Sequence, residues 1–170
     1  MKSGAEARRL FWTAAALLLA LDVVTKRVAE QVLLPIPPME VVGDWLRLRL
    51  VYNLGAAFGL NLGPWSRWIF LVLAIVAAVL LYRLARASSP LDWFRQLSCG
   101  LVAGGAVGNL IDRIRGAQGV VDFIDVGIGL HRWPTFNVAD MGVSCGAIAL
   151  AISLWLEDAR RARSEAAPTP

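Results

Sequence analysis

A chain of 170 residues with 57% hydrophobic and only 18% charged residues lies outside the composition of ordinary soluble domains, so lipid is its expected solvent. The length suits one domain, residues 1–170, and excludes a large soluble module beside several membrane spans. The formal charge of +4 comes without a basic stripe interleaved with aromatics, which argues against nucleic acid and for the anionic headgroups of membrane phospholipids.

Apolar segments at about 10–28, 64–82, 94–111 and 136–156 each approach the ~20 residues that cross a hydrocarbon core. The expected fold is therefore mainly α, a polytopic membrane protein with four transmembrane helices. The first segment follows Lys2, Arg8 and Arg9 as a secretory signal would. No small-x-small cleavage site comes after it, however, and "DVVTKRVAEQVLL" keeps helical character, so it reads as a retained span. It carries Asp22 with Lys26 four residues on, the spacing of a local ion pair.

Between the first two spans, "WLRLRLVY" alternates Leu46, Leu48, Leu50 and Tyr52 with Trp45, Arg47, Arg49 and Val51, the period of a half-buried strand. The second span, "WIFLVLAIVAAVLLY", is uninterrupted. The third places Gly100, Gly104 and Gly108 on one helix face, and Gly142 and Gly146 repeat the device in the fourth. These glycines are expected to bring the ends of the third and fourth spans together. Cys99 and Cys145 lie among small apolar residues with no disulfide or zinc spacing, and read as buried inert thiols.

After the third span, "GVVDFIDVGIGLHRWP" again has strand character. Open sheet edges cannot sit in hydrocarbon, so residues 35–60 and 113–134 are expected to form a small β-sheet and loop platform on the non-cytoplasmic surface. The tail from 158 to 170 is small, polar and expected to fray. An even number of spans leaves both termini on one side. Arg83, Arg86 and Arg95, with the basic residues of the two ends, mark that side as cytoplasmic, although the other side is also rich in arginine.

Charge is concentrated in "GNLIDRIRGAQGVVDFIDV", residues 108–126. A carboxylate at membrane depth costs about 2.5–3.5 kcal/mol even on the lenient insertion scale, so each needs a partner or a task. Asp112 has ready partners in Arg113, Arg115 and the amide of Asn109, which gives it a structural role. Asp122 and Asp125, three apart in a strand, point to opposite faces, so only one can face a site below the sheet. In "WPTFNVAD", Thr135 or Asn137 can cap the fourth span, with Asp140 in a first turn that favours an anion.

Capping does not explain a second carboxylate arriving at the same helix end. Two carboxylates close together in a low-dielectric site cannot both ionise, so they hold one shared proton. The charged member can take a proton from water as it attacks a carbonyl, and the neutral member can donate to the carbonyl oxygen. Peptide hydrolysis then requires neither metal nor other cofactor. The only histidine, His131, has no zinc-site or catalytic-triad context and reads as an interfacial loop residue.

In chain order, "LDVVTK" (Asp22, Lys26), "VYNLGAAFGL" (Asn53, Gly55, Ala57, Phe58), "GGAVGNLIDRIRGAQGVVDFIDV" and "FNVAD" (Asn137, Asp140) resemble the lipoprotein signal peptidase family. The resemblance covers nearly the whole chain outside its tails. It implies an aspartic endopeptidase of the bacterial inner membrane, with both termini cytoplasmic and its site near the periplasmic face. The implied substrates are lipidated prolipoprotein signal peptides, cut just before a cysteine carrying a diacylglyceryl group. The implied catalytic pair is Asp122 and Asp140, and the choice of Asp122 over Asp125 comes from the resemblance alone. Asn53, Gly55, Asn109, Arg113 and Asn137 match positions that orient substrate or steady the pair, whereas Asp22, Lys26 and Asp112 match supports of the fold. No metal or other cofactor is implied, and one copy of the chain is expected to suffice. The residues alone also admit a small proton-coupled membrane carrier, although "NLID" and "NVAD" are too short to count as an inverted repeat.

Overall fold

The computed structural model describes residues 4–34, 36–55, 63–89, 92–116 and 118–165. Lys2, Ala57, Phe58, the platform stretch 56–60 and the end of the tail from 166 lie outside the described residues. A helix runs through each apolar segment: α1 (Gly4–Leu33), α2 (Ser66–Ala87), α3 (Trp93–Arg115) and α4 (Val138–Glu165). Four strands, β1 (Met39–Val42), β2 (Leu46–Asn53), β3 (Val120–Ile128) and β4 (His131–Arg132), form one antiparallel sheet in the order β1-β2-β3-β4. His131 thus lies in a short strand, exposed, rather than in a loop. α4 stays helical to Glu165, beyond the point where fraying was expected.

Among the described residues, two stretches, α2 and residues Val138–Arg163 of α4, are long and apolar enough to cross a membrane. α1 and α3 have comparable length but are less uniformly apolar, with Asp22, Lys26, Arg27 and Glu30 in α1, and with Arg95, Gln96 and Asn109 in α3 before Asp112, Arg113 and Arg115 close it. α2 turns Trp68, Val72, Ile75, Val76 and Val79 outward, the reverse of a soluble core helix.

α3 is the centre of the bundle and packs against all three other helices. Its glycines divide this work differently from the expectation. A Cβ on Gly100 would fall 2.5 Å from the Phe11 carbonyl oxygen, and one on Gly104 would fall 2.6 Å from that of Ala15, so the 100/104/108 face lies on α1. The approach to α4 uses Gly105, which faces the Ala139 carbonyl and Val143. Gly146 of α4 faces Val102 and the Ser98 carbonyl, while Gly142 faces Leu18 of α1. A stripe at four-residue spacing occupies one side of a helix, and a helix wedged between two close neighbours needs a second side one residue farther on. At the opposite end, buried Arg95 ties α3 to α4 through Ser153 and Glu157.

β3 is buried on both faces from Val120 to Phe123, which overrides simple alternation. Phe123 packs with Ala29 and Leu33 of α1. The entry to α4 is stitched to the same strand: the Phe123 and Ile124 N–H groups donate to the Phe136 carbonyl at 3.0 and 2.8 Å, and the Phe136 N–H donates back to Ile124 at 3.0 Å. This pairing carries the "FNVAD" segment to the buried half of β3. Of the cysteines, Cys99 is buried as expected, but Cys145 is exposed because its face of α4 borders a cavity instead of a neighbouring helix.

Candidate active site

Asn137 immediately precedes α4 and caps it. Its Oδ1 accepts from the Asp140 N–H at 2.9 Å, and Asp140 Oδ2 accepts from the Asn137 N–H at 3.2 Å. This reciprocal exchange is a capping box with aspartate in the usual glutamate position. Of the two caps expected, Asn137 serves. Its Nδ2 turns the other way and donates to Asp122 Oδ1 at 2.7 Å, so one side chain touches both aspartates' surroundings.

The remaining donors are equally constrained. Asn53 Nδ2 donates to Asp122 Oδ2 at 2.9 Å, and Asn109 Nδ2 donates to Asp140 Oδ1 at 2.8 Å. Each of the four carboxyl oxygens therefore has a donor. A donor-only group fixes the orientation of every amide involved. The Gly55 N–H sits on Asn53 Oδ1 at 2.9 Å, the Asp140 N–H on Asn137 Oδ1, and the Lys26 ammonium on Asn109 Oδ1 at 2.9 Å. Arg113 reaches the same region, donating to the carbonyls of Gly55 and Asn109, both at 3.1 Å, with its guanidinium over Phe70.

Asp122 is 1% exposed, and burial is the main reason its carboxyl is pushed up to about 7. The charge of Asp140 adds to the rise, while the hydrogen bonds from Asn53 and Asn137 oppose it. A carboxyl so displaced keeps a substantial protonated fraction near neutral pH beside a second carboxylate.

Asp22 and Lys26 form the expected local ion pair, at 2.7 Å. Asp22 also reaches α4, where its Oδ1 accepts from the Ala139 N–H at 2.8 Å. Asp112 departs from the expectation. Its partners are Lys26, at 2.8 Å, and the Val121 N–H, at 3.3 Å, and not Arg113, Arg115 or the Asn109 amide. Arg113, the next residue of the helix, points about 100° away from Asp112. Asp125 is equally buried but belongs to the platform, where Arg132 Nε meets it at 2.7 Å.

Asp122 and Asp140 both line a cavity of about 630 Å³ between α2, α3, α4 and the sheet. Asn53, Asn109 and Arg113 form the rest of its polar end, and Phe70, Leu73, Met141 and Val143 form apolar wall. A second cavity of about 460 Å³ lies on the sheet side, bordered by Arg49, Tyr52, Asp125 and Arg132. Asn53, Asp122, Trp133, Pro134 and Thr135 line both. The sequence reading took Thr135 only as a candidate cap and gave Trp133 and Pro134 no place in this shared wall; their signal was a tryptophan and proline between a strand and a helix cap. Phe70 and Met141 carried no signal distinct from other span residues.

Over residues 14–156 the chain matches the family described as signal peptidase (SPase) II. It is 41% identical over 150 residues to a lipoprotein signal peptidase of Rhodococcus jostii, covering 85% of this chain and 72% of that protein. It is 43% identical over 147 residues to the lipoprotein signal peptidase of Hydrogenovibrio crunogenus, covering 84% of each. Among solved structures, a bacterial membrane enzyme determined by the in meso method at 2.3 Å superposes with a TM-score of 0.75 and 29% identity, over 93% of this chain and 92% of that one. Another, at 1.9 Å, gives 0.73 and 31%, over 84% and 90%.

Proposed function

The chain belongs to the signal peptidase II family, and from that premise we propose an intramembrane aspartic endopeptidase in which Asp122 and Asp140 share one proton. The enzyme cleaves prolipoprotein signal peptides on the N-terminal side of the diacylglyceryl-modified cysteine. The observation that carries this reading is the link through Asn137, which holds two carboxyl groups on one cavity that is polar at one end and apolar along its walls.

The roles follow from the two environments. Asp122, the more buried, is the protonated member; Asp140, in the first turn of α4, is the anion. Asp140 takes a proton from water as the water oxygen attacks the scissile carbonyl, and Asp122 gives its proton to the carbonyl oxygen. When the tetrahedral intermediate collapses, Asp140 passes its proton to the leaving amine of the cysteine and Asp122 recovers its own from the hydroxyl. The acyl chains of the substrate lie along Phe70, Leu73, Met141 and Val143, and Arg113 and Asn53 orient the peptide.

All four helices cross the bilayer of a bacterial inner membrane, with both termini cytoplasmic and the sheet at the periplasmic face. Two observations support this arrangement. The charges nearest the middle of α1, Asp22 and Lys26, are turned inward and paired, at 0% and 3% exposure. Every tryptophan is exposed, and they fall into two groups, Trp12, Trp93 and Trp155 at one end and Trp45, Trp65, Trp68 and Trp133 at the other, as two interfacial belts would. Surrounding phospholipids are thus the natural partner of the outer faces. One copy of the chain supplies both aspartates and is active as a monomer.

The test is conversion of a lipidated precursor by the purified protein in detergent. Asp122→Asn and Asp140→Asn each abolish cleavage while leaving the protein folded; full activity in either variant overturns the assignment.

A further inference from the structure

We propose that Lys26 is a positioning residue for this reaction, acting through Asn109 to keep Asp140 the proton acceptor. The inference rests on the dyad reading above. An ammonium carries three hydrogens and no lone pair. Around Lys26 Nζ stand three oxygens: Asp22 Oδ2 at 2.7 Å, Asp112 Oδ2 at 2.8 Å and Asn109 Oδ1 at 2.9 Å. Two are acids that hold the cation in place. The third leads to the cavity.

A carboxamide has one accepting and one donating end, exchanged by a half-turn. The end of Asn109 that faces Lys26 has to be oxygen, so the end that faces Asp140 has to be N–H. Asn137 Nδ2 also donates to Asn109 Oδ1, at 3.1 Å, but that group has two hydrogens and three acceptors, the others being Asp122 Oδ1 at 2.7 Å and the Val121 carbonyl at 3.2 Å. It does not hold the amide unaided. With Lys26 gone, Asn109 can turn its oxygen towards Asp140, an arrangement that favours a protonated Asp140 and so removes the base.

A purely structural role for Lys26, tying α1 to α3, predicts no such effect, and the two roles can be separated. Lys26→Met alone strands two buried acids. The informative variant is Asp22→Asn/Lys26→Met/Asp112→Asn, which removes the three charges together; each new amide oxygen can still accept from the Ala139 or Val121 N–H. The charged groups facing Asp140 are then Asp122 from β3 and Arg113 from α3.

For this variant, folded by thermal unfolding in detergent, kcat for the lipidated precursor is expected to fall about ten-fold or more with KM unchanged, the scale of a lost hydrogen bond to a charged group. The acid limb of kcat moves to higher pH. Through-space electrostatics alone predicts the opposite, because losing two negative charges and one positive favours an ionised Asp140. Wild-type kcat, or an acid limb moved downward, overturns the proposal. Should the variant fail to fold, Asn109→Leu with the charged trio intact carries the test: the same kcat loss at unchanged KM supports the proposal, and wild-type kcat overturns it. Cleavage by Asp140→Asn would instead sink the dyad itself, so the two failures are distinguishable.

Discussion

Asn53 donates from Nδ2 to Asp122 Oδ2 at 2.9 Å, across the β2–β3 pair, with its amide locked by the Gly55 N–H behind it. The bond favours the ionised form of Asp122 and so works against the burial that pushes this carboxyl up to about 7. If Asp122 acts protonated, the alkaline limb of kcat reports its deprotonation. Asn53→Leu is expected to move that limb upward by about one unit, consistent with loss of one hydrogen bond to a charged group. A pH profile of precursor cleavage decides it; an unmoved or lowered limb contradicts the role.

The same carboxyl makes stability depend on pH. Its folded-state value is raised from 3.8 to about 7, so its contribution is fully present below pH ~4 and is lost as pH rises through about 7. The loss is on the order of 4 kcal/mol, from roughly three units at ~1.4 kcal/mol each. Asp122→Asn removes this pH dependence, at the cost of one accepted hydrogen bond, because an amide NH2 cannot accept from Asn53 or Asn137. Relative to wild type, the variant is expected to gain in unfolding temperature between pH 5 and pH 8. Thermal unfolding in detergent at both pH values measures this.

Gly105 sits where α3 meets α4, and a Cβ there would press on the Ala139 carbonyl and come within 2.8 Å of Val143 Cγ2. Gly105→Ala is expected to cost about 1–3 kcal/mol by overpacking. Because Ala139 adjoins Asp140, cleavage should fall with stability. Ala at Gly116, whose Cβ would meet only the Gln118 N–H at 3.8 Å, is the control and should change the unfolding temperature little.

Arg132 anchors the platform, meeting Asp125 at 2.7 Å from Nε and donating to its carbonyl at 3.1 Å. Arg47 stands farther off, at 3.8 Å. Arg132→Met leaves Asp125, which is 2% exposed, nearly unpaired, at an expected cost of about 3–5 kcal/mol. Asp125→Asn/Arg132→Met should recover most of it. Equal destabilisation in the single and double variants would rule out the buried charge as the cause.

Local pattern made much of this legible beforehand. The uninterrupted run of α2, the alternation of β2 and the Asn137 cap of α4 are properties of neighbouring residues, and short-range physics predicts them. The Asp22–Lys26 pair, one helical turn apart, is of the same kind. What escaped was contact across the chain. Asp112 stands beside two arginines in sequence yet pairs with Lys26, and the 100/104/108 glycine face meets α1, because helix rotation and packing order leave no local trace. The exposure of Cys145 escaped for the same reason: its apolar surroundings look alike whether they face a helix or a cavity.

Asn53, Asp122, Trp133, Pro134 and Thr135 border both hollows, so Asp122 stands in a doorway with a chamber on each side, whereas Asp140 faces only the chamber among the helices. On the proposed chemistry, a polypeptide severed beside Asp122 would leave one fragment in the chamber among the helices and the other in the chamber beside the sheet. Neither would have to wait for the other to leave.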